Sequence, residues 1–301
     1  MTQLRRASPS DAPGPVVEIT PEDAGWDWTG LRVLRLAPGV PQTVETGGSE
    51  LFVLPLAGGL RVSVAGEAFE LEGRESVFAR VTDFAYVGRD SVAELVAPDG
   101  AEVALPSSRC ERALPPAYGP AEGVPVEVRG AGPATRQVAN FGVPGVWDHA
   151  DKLVCCELLT PDGNWSSYPP HKHDASDPCR VVNEEIYYYR IAGGADGSSG
   201  FGYHTTYTGP EHDAAGLEPL DETHRVRDHD VVLVPHGYHG PCVAAPGYEM
   251  YYLNVMAGPG AERELAFCDD PEHGWVRDTW ATMPTDPRCP MTSAAGREEP
   301  R

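Results

Sequence analysis

Short apolar runs separated by proline and glycine make up most of this chain, and long segments with the helical period of 3.6 residues are nearly absent. In the first half, such runs occupy residues 51–56, 60–65, 69–73, 76–78, 84–87 and 93–97. Their spacing of about 8–10 residues is typical of an antiparallel sandwich or barrel. Between the first two runs, Ala57-Gly58-Gly59 predicts a hairpin turn.

The second half repeats this texture. Strands are predicted at residues 153–159, 185–191, 201–208, 231–234 and 250–256. The two halves share too little identity to be called a sequence repeat, but they favour an all-β chain with two β-barrels side by side.

We predict a first domain over residues 1–125, a second over 126–285, and a loosely ordered tail over 286–301. Residues 1–15 are expected to be loosely ordered as well.

Composition narrows the class of protein. With 41% hydrophobic and 23% charged residues among 301, the chain can bury a substantial core. Its formal net charge of −22 argues against nucleic acid or an anionic membrane surface as a partner, and is compatible with a homo-oligomer. No segment approaches the roughly 20 apolar residues of a membrane span. Seven cysteines without a Cys-x-x-Cys pair predict no disulfide framework and suit a reducing cytoplasm.

Histidines are confined to the second half, where all ten lie within residues 149–273. On a strand, side chains two apart share a face, so His171 and His173 can hold one ion together. Glu185 from the next strand and His239, just after a more distant strand, would complete the set. Three imidazoles and one carboxylate suit Zn, Mn, Fe, Co or Ni. The first barrel is therefore predicted to lack metal ligands.

The other histidines are weaker candidates. His236 is the nearest alternative to His239 as the third imidazole. The rest are interpreted as surface groups or as groups that support the ligands: His204, His212, His224, His229 and His273. A His-x-His pair alone is more often a surface pair, and only the order of all four residues together favours a metal site.

Aromatic and amide side chains are predicted to line the same interior. Alternation along residues 185–191 puts Tyr187 and Tyr189 on the face of Glu185, where they could bond sugar hydroxyls or shuttle protons. Tyr252 and Asn254 are predicted to point inward, because a buried asparagine requires a partner or a substrate.

Several motifs in the second half resemble one family. Residues 163–174, Gly-Asn-Trp-Ser-Ser-Tyr-Pro-Pro-His-Lys-His-Asp, strongly resemble 5-deoxy-glucuronate isomerase of myo-inositol catabolism. Residues 184–188, 234–239, 251–259 and 270–275 resemble the same family. The resemblance extends from about residue 15 to about residue 280.

This resemblance implies a bicupin fold, with two β-sandwich or jelly-roll barrels in one chain. It also implies an aldose–ketose isomerisation of 5-deoxy-D-glucuronate to 5-dehydro-2-deoxy-D-gluconate. A related isomerase, which acts on 5-keto-4-deoxyuronate, has a similar pattern of ligands around zinc. Zn²⁺ is therefore the expected ion, with Mn²⁺, Fe²⁺, Co²⁺ and Ni²⁺ as alternatives. By this similarity its ligands are His171, His173, Glu185 and His239.

An isomerase of this kind moves a proton between neighbouring carbons, beside a metal that acts as a Lewis acid. The candidate acid/base residues are Tyr187, Tyr189, Tyr252 and Glu184. A hydroxide on the metal is a further alternative.

The carboxylate of a sugar acid requires a cation. Arg136 is preferred for this role, and Arg190 is the alternative. Lys172 and Asn254 complete the candidate substrate-binding residues, although Lys172 alternates away from the face of the ligands.

Three departures from the family pattern bear on selectivity: a short connection over residues 174–183, Gly240 where proline is common, and residues 262–265. The alternatives to the implied function are an isomerase or epimerase of another uronate-like sugar, a non-catalytic sugar-binding or storage bicupin, and an iron dioxygenase. Oxygen dependence would identify the dioxygenase, and binding without turnover would identify the storage protein.

Overall fold

Strands dominate the computed structural model, which describes residues 3–7 and 12–298. The described part of the first half contains β1 (Leu4–Arg5), β2 (Gly14–Ile19), β3 (Thr29–Leu36), β4 (Gln42–Glu45), β5 (Ser49–Val64), β6 (Glu67–Arg74), β7 (Phe84–Val87), β8 (Val92–Val96), β9 (Ala101–Arg109) and β10 (Ala117–Gly119). One short helix, α1 (Pro21–Ala24), lies between β2 and β3.

The second half contains β11 (Val126–Arg129), β12 (Arg136–Gly142), β13 (Val154–Thr160), β14 (Trp165–Ser166), β15 (His171–Lys172), β16 (Glu184–Ile191), β17 (Gly202–Tyr207), β18 (Asp221–Val226), β19 (Val231–Val234), β20 (Tyr238–Ala244), β21 (Met250–Ala257), β22 (Cys268–Asp269), β23 (Thr292–Ser293) and β24 (Gly296–Arg297). Its helices are α2 (Pro210–Ala214) and α3 (Val276–Thr279). Two 3₁₀ turns, Ala121–Gly123 and Gly132–Ala134, flank β11.

Strands β2 to β10 form one nine-stranded sheet with the central order β10-β7-β5-β9-β3-β2. The hairpin turn predicted at residues 57–59 is wrong, because β5 continues through this segment without ending. A bulge at Gly58, with φ of 79°, shifts the register there and bends the strand. A side chain at Gly58 would start only 2.6 Å from the carbonyl oxygen of Gly100. Glycine thus marks a bend in this strand, and not its end.

The second barrel is built from two sheets. The larger has the order β1-β19-β16-β21-β13-β12-β11, and the smaller has β18-β17-β20-β15-β22 with β14 beside β20. Apolar side chains from both sheets meet in one core, among them Val232 and Met250 from the first and Val226 and Ala244 from the second. All five strands predicted in this half are present within two residues of their expected limits. Several strands of this half were not predicted, among them β20, which contains His239.

The two barrels share a continuous apolar core. Phe141 of the second half packs edge-on against Phe52 and Phe84 of the first, with ring centroids 5.4 and 5.1 Å apart. Polar bonds cross the same boundary: the buried Glu50 carboxylate accepts hydrogen bonds from the backbone amides of residues 151–153. The predicted domain division at residue 125 lies between β10 and β11 and stays a prediction.

Both chain ends contribute to packing where the structure describes them, in contrast to the expected loose tails. Leu4 pairs with Val232, which adds β1 to the sheet of the second barrel. Cys289 and Met291 are buried in the shared core. Residues 1, 2, 8–11 and 299–301 of the two predicted tails lie outside the described residues. Of the described helices, none has the length and apolarity to cross a membrane.

Candidate active site

Three histidines converge inside the second barrel. His171 on β15 lies directly opposite His239 on β20 in the antiparallel ladder. His173 follows two residues later, and the ring nitrogens of all three approach to within 4.8 Å of one another. The strand register therefore brings His239 close to two histidines that precede it by 66 and 68 positions in the sequence.

Glu185 meets this cluster from the opposite sheet. Its Oε2 lies 2.9 Å from Nε2 of His173 and 3.0 Å from Nε2 of His239. Asn254 on the neighbouring strand β21 donates its amide to the other carboxylate oxygen. Burial acts to raise the pKa of Glu185, but the bonds from His173 and His239 outweigh it and hold that pKa well below its usual range.

The cluster fits a divalent metal by its donor chemistry. His173 Nδ1 is 2.9 Å from the carbonyl oxygen of Asn183, so that Nε2 is the nitrogen directed at Glu185. Burial, and then the neighbouring His239 and His173, lower the pKa of His171 well below its usual value. A neutral imidazole is the form that binds a metal. Three imidazoles and an ionised carboxylate suit several divalent ions.

A pocket opens beside the cluster. Besides His171, His173 and Glu185 it is lined by Arg129, Arg136, Val138, Asn140, Cys156, Leu158, Ser167, Asn183, Tyr187, Tyr252, Asn254, Met256, Leu265, Ala266 and Phe267. Three of the four candidate metal ligands and two arginines thus line one cavity. Such a cavity can hold a small molecule that has an oxygen-rich end and an acidic end.

Arg136 is a buried cation in this pocket. Its Nη1 donates to the carbonyl oxygens of Ala134 and Tyr168 at 3.0 and 3.3 Å, and its Nε has no hydrogen-bond partner. Within the described residues, no carboxylate forms an ion pair with Arg136. Burial lowers its pKa to about 10, so it stays charged at neutral pH. Arg129 beside it is already paired with Glu127 at 2.7 Å, which leaves Arg136 available for an anion.

Two tyrosines reach the pocket, and a third lies behind it. The Tyr187 hydroxyl bonds with Ser167 Oγ at 3.1 Å, and the Tyr252 hydroxyl bonds with Ser166 Oγ at 2.9 Å. Burial raises the pKa of both phenols well above the usual value, so both stay protonated. Tyr189 does not line the pocket, and its hydroxyl lies 2.6 Å from Nδ1 of His204.

Comparison with known proteins identifies the family of this chain. The model of the KduI/IolB family matches residues 3–276. The chain belongs to the KduI/IolB family. A relative from Geobacillus kaustophilus (strain HTA426), named 5-deoxy-glucuronate isomerase, is 41% identical over 277 residues, 90% of this chain and 95% of the relative. One of the same name from Bacillus subtilis (strain 168) is 38% identical over 264 residues, 87% of this chain and 92% of the relative.

Solved structures agree on the fold. An IolB-like protein from Salmonella typhimurium LT2 superposes with a TM-score of 0.81 at 31% identity, covering 92% of this chain and all of its own. Oxalate decarboxylase from Lactobacillus farciminis, at 12% identity, reaches 0.60 over 85% of each chain, which bears on the fold alone. The predicted all-β cupin fold is confirmed. As a member of this family the chain is an enzyme of the isomerase class.

Three candidate residues of this family member lie away from the pocket. The Glu184 carboxylate accepts hydrogen bonds from the backbone amides of residues 27–29 in the first barrel. Lys172 is fully buried and donates to Ser176 and Asp177. Arg190 pairs with Glu102 and Asp228. All three project from the strand face opposite the ligands and none lines the pocket, so their positions give no support to the predicted roles in catalysis or substrate binding.

The remaining histidines lie outside the cluster. His236 is partly exposed and lies 2.8 Å from the carbonyl oxygen of Glu218, so it does not join His171, His173 and His239. Of the five interpreted as surface or supporting groups, three are buried and two are partly exposed: His204, His212 and His229, and His224 and His273. His212 supports the site through Asp174, which it meets at 3.1 Å. Asp174 was missed as a supporting residue, although its place directly after His173 was the signal that could have found it.

The expectation of no disulfide is corrected by a bond between Cys179 and Cys268. The two cysteines are 89 residues apart in the sequence, too far for spacing to reveal their pairing. They meet because Lys172 pairs with Cys268 in the ladder of β15 and β22. Next to Cys268, the Phe267 ring lies 4.8 Å from the ring of His171 at the mouth of the pocket.

Proposed function

We propose that this chain is a metal-dependent aldose–ketose isomerase that converts 5-deoxy-D-glucuronate to 5-dehydro-2-deoxy-D-gluconate in myo-inositol degradation. One observation carries the proposal: His171, His173 and Glu185, three members of the candidate metal cluster, line the same pocket as Arg136, which forms no ion pair among the described residues. The names of the relatives from Geobacillus kaustophilus and Bacillus subtilis support this substrate.

A divalent metal, with Zn²⁺ as the first expectation, would be held by His171, His173, Glu185 and His239. When bound, it supplies Lewis-acid stabilisation of the negative charge that develops on the substrate oxygens. Asn254 fixes the carboxylate of Glu185 from behind, and the Asn183 carbonyl fixes the ring of His173. These bonds preorganise the ligands before any ion binds.

Arg136 would bind the carboxylate of the sugar acid. A guanidinium offers several N–H donors in a plane, and a buried one gains most from a charged partner. Its anchoring places the aldehyde end of the substrate toward the histidines. The reaction then takes a proton from C2 and returns one to C1, and the hydroxyl proton at C2 moves to the oxygen at C1.

Proton movement on the substrate oxygens is assigned to the hydroxyl pair Tyr187–Ser167. Tyr187 is next to Glu185 on the inward face of β16, and its hydroxyl has a partner that can accept or donate. Tyr252 is the second phenol with access to the pocket, whereas Tyr189 and Glu184 lack that access.

The setting of this activity is part of the same proposal. A small sugar acid is the partner, and neither nucleic acid nor membrane is expected for a chain with a formal net charge of −22. We expect the enzyme to work in the cytoplasm and to assemble as a homo-oligomer. Sedimentation velocity of the purified protein measures that assembly.

The test is an anaerobic NMR assay with 5-deoxy-D-glucuronate in D₂O, run before and after chelation. The expected result is metal-dependent formation of the keto acid, with deuterium at the new C1 hydroxymethyl carbon if the proton exchanges with solvent. His171→Ala should abolish turnover, and the matched variant His236→Ala, at a partly exposed histidine outside the cluster, should keep it. No turnover with metal verifiably bound would overturn the assignment.

A further inference from the structure

The wall of the pocket next to Arg136 is apolar. Alternation along β12 puts Val138 on the same face as Arg136, and both side chains line the cavity. Directly across the ladder from Val138 lies Leu158 on β13, which lines the cavity as well. Both side chains are buried, with 1% and 6% of their surface exposed.

The polar groups nearest to this pair already have partners. On the far side of Leu158 lies Tyr252, whose hydroxyl is bonded to Ser166, which in turn is bonded to Thr160. Beyond Val138 on β12, the Asn140 amide is directed to Glu127 at 3.4 Å. The side chains of Val138 and Leu158 themselves offer no hydrogen-bond donor or acceptor, and on the Arg136 side the free donor is the Nε of the guanidinium that is assigned to the carboxylate.

A substrate anchored at both ends has a defined path along this wall. With its carboxylate on Arg136 and its aldehyde end at the histidines, the first carbon after the carboxylate lies nearest the strand that carries both Arg136 and Val138. In 5-deoxy-D-glucuronate this carbon is a methylene group. In D-glucuronate the same carbon carries a hydroxyl.

We propose that Val138 and Leu158 are specificity-determining residues, which select sugar acids that lack a hydroxyl on the carbon next to the carboxylate. The proposal rests on the proposed function and deepens it. A hydroxyl that faces the side chains of Val138 and Leu158 would leave water without finding a partner on them, which disfavours binding. A hydrophobic wall discriminates against an added hydroxyl by about 10- to 100-fold, and this is the preference we expect.

The experiment measures binding separately from turnover. The aldehydes of 5-deoxy-D-glucuronate and D-glucuronate are reduced to alcohols, so that neither acid can be isomerised, and each is titrated calorimetrically into the metal-loaded protein. The variants are Val138→Thr, which replaces a methyl group with a hydroxyl, and Leu158→Gln. Val154→Thr makes the same change at a buried valine of this barrel that does not line the pocket.

The wild type should bind the reduced 5-deoxy acid about 10- to 100-fold more tightly. Val138→Thr should reduce this preference at least about fivefold, a partial recovery of the lost hydrogen bond. Leu158→Gln should change the ratio in the same direction, so the test holds if one variant does not fold. Val154→Thr should keep the wild-type ratio.

Equal binding of the two acids by the wild type would overturn the inference. An unchanged ratio in folded Val138→Thr and Leu158→Gln would overturn it too, as would failure of both acids to bind. Turnover of 5-deoxy-D-glucuronate by the wild type is measured in parallel. Selective binding without turnover would refute the proposed reaction and leave the role of the apolar wall standing.

Discussion

Glu184 and Glu185 are neighbours with the same side chain and opposite surroundings. Strand alternation directs Glu185 to the histidine cluster, and directs Glu184 to backbone amides of the first barrel. The Glu184 carboxylate links the two barrels, and the Glu185 carboxylate lies among the candidate metal ligands. One position along a strand thus separates a stabilising role from a chemical one.

Replacing each glutamate with glutamine should separate the stabilising role of Glu184 from the metal-binding role proposed for Glu185. Glu184→Gln should leave kcat/KM within about twofold and lower the free energy of unfolding by about 1–3 kcal/mol, because charge-assisted bonds are lost. Glu185→Gln should reduce metal affinity at least about 100-fold, because an anionic ligand becomes a neutral amide. Chemical denaturation and metal titration measure the two effects. If Glu184→Gln folds but loses its metal, the assignment of a purely stabilising role to Glu184 is contradicted.

Arg136 and Arg190 form a second contrast, between an unpaired and a paired cation. Arg136→Met should lower kcat/KM by about 100- to 1000-fold, because a buried charge-assisted contact with the substrate is lost. The unfolding free energy should stay level or rise, because an unpaired buried charge is removed. Arg190→Met should do the reverse: it should destabilise the fold by about 1–3 kcal/mol and leave KM unchanged. Steady-state kinetics and thermal unfolding decide between these outcomes.

The pH profile gives an independent check of the same cation. Burial lowers the pKa of Arg136 to about 10, so folding disfavours its charged form and the folded protein loses this charge at a lower pH than the unfolded chain. Wild-type KM should rise as pH increases through about 10, where the cation that binds the carboxylate disappears. Arg136→Met should show no such rise. A KM profile that is flat in the wild type up to pH 11, with the protein still folded, would contradict this role.

At the scale of elements, Asp174 connects the loop that follows His173 with the turn that precedes His239. Its Oδ2 accepts a hydrogen bond from the backbone of Gly237 at 2.7 Å, two residues before His239. Its Oδ1 accepts from the backbone of Ser176 at 2.9 Å, in the loop that follows His173. One buried carboxylate thus fixes both segments relative to each other.

Asp174→Asn should weaken metal binding about 10- to 100-fold, because an amide cannot accept every bond that the carboxylate accepts. Secondary structure should be retained, as judged by circular dichroism. Asp213→Asn, on the exposed side of α2, is the matched control and should bind metal like the wild type. Unchanged metal affinity in Asp174→Asn would show that the ligand segments hold their places without this link.

Local periodicity explains which parts of the site could be predicted. Alternation along single strands placed Tyr187 on the face of Glu185, because only neighbouring residues decide it. The strand around His239 was missed, because Gly237, Gly240 and Pro241 have the composition of a turn. Contacts set by the register of distant strands have no local signal, and the disulfide between Cys179 and Cys268 is one of them.

At the scale of the whole molecule, the boundary between the two barrels contains buried polar contacts as well as the shared apolar core. Arg74 from the first barrel and Glu157 from the second form a buried ion pair there. The Tyr251 hydroxyl donates to the same carboxylate at 2.7 Å. A buried pair of this kind fixes the relative placement of its elements more than it adds stability.

Arg74→Met should lower the free energy of unfolding by about 3–5 kcal/mol, because Glu157 stays buried without its cation. The double variant Arg74→Met/Glu157→Leu should recover most of this loss, since no unpaired charge is left. Thermal and urea unfolding measure both, and kcat/KM of the folded fraction should stay near wild type. A double variant no more stable than Arg74→Met would contradict the assignment of this loss to the unpaired charge of Glu157.

Strand β1 gives the molecule a particular order of assembly. Leu4 and Arg5 pair with β19 of the barrel that holds the candidate metal ligands, although the whole nine-stranded barrel lies between them in the chain. During synthesis on a ribosome, which proceeds from the amino end, β1 is made before β19 and has to wait for it. The barrel that holds the candidate ligands is therefore the last to close. An affinity tag at the amino end would interfere with that closure, and would leave the neighbouring barrel undisturbed.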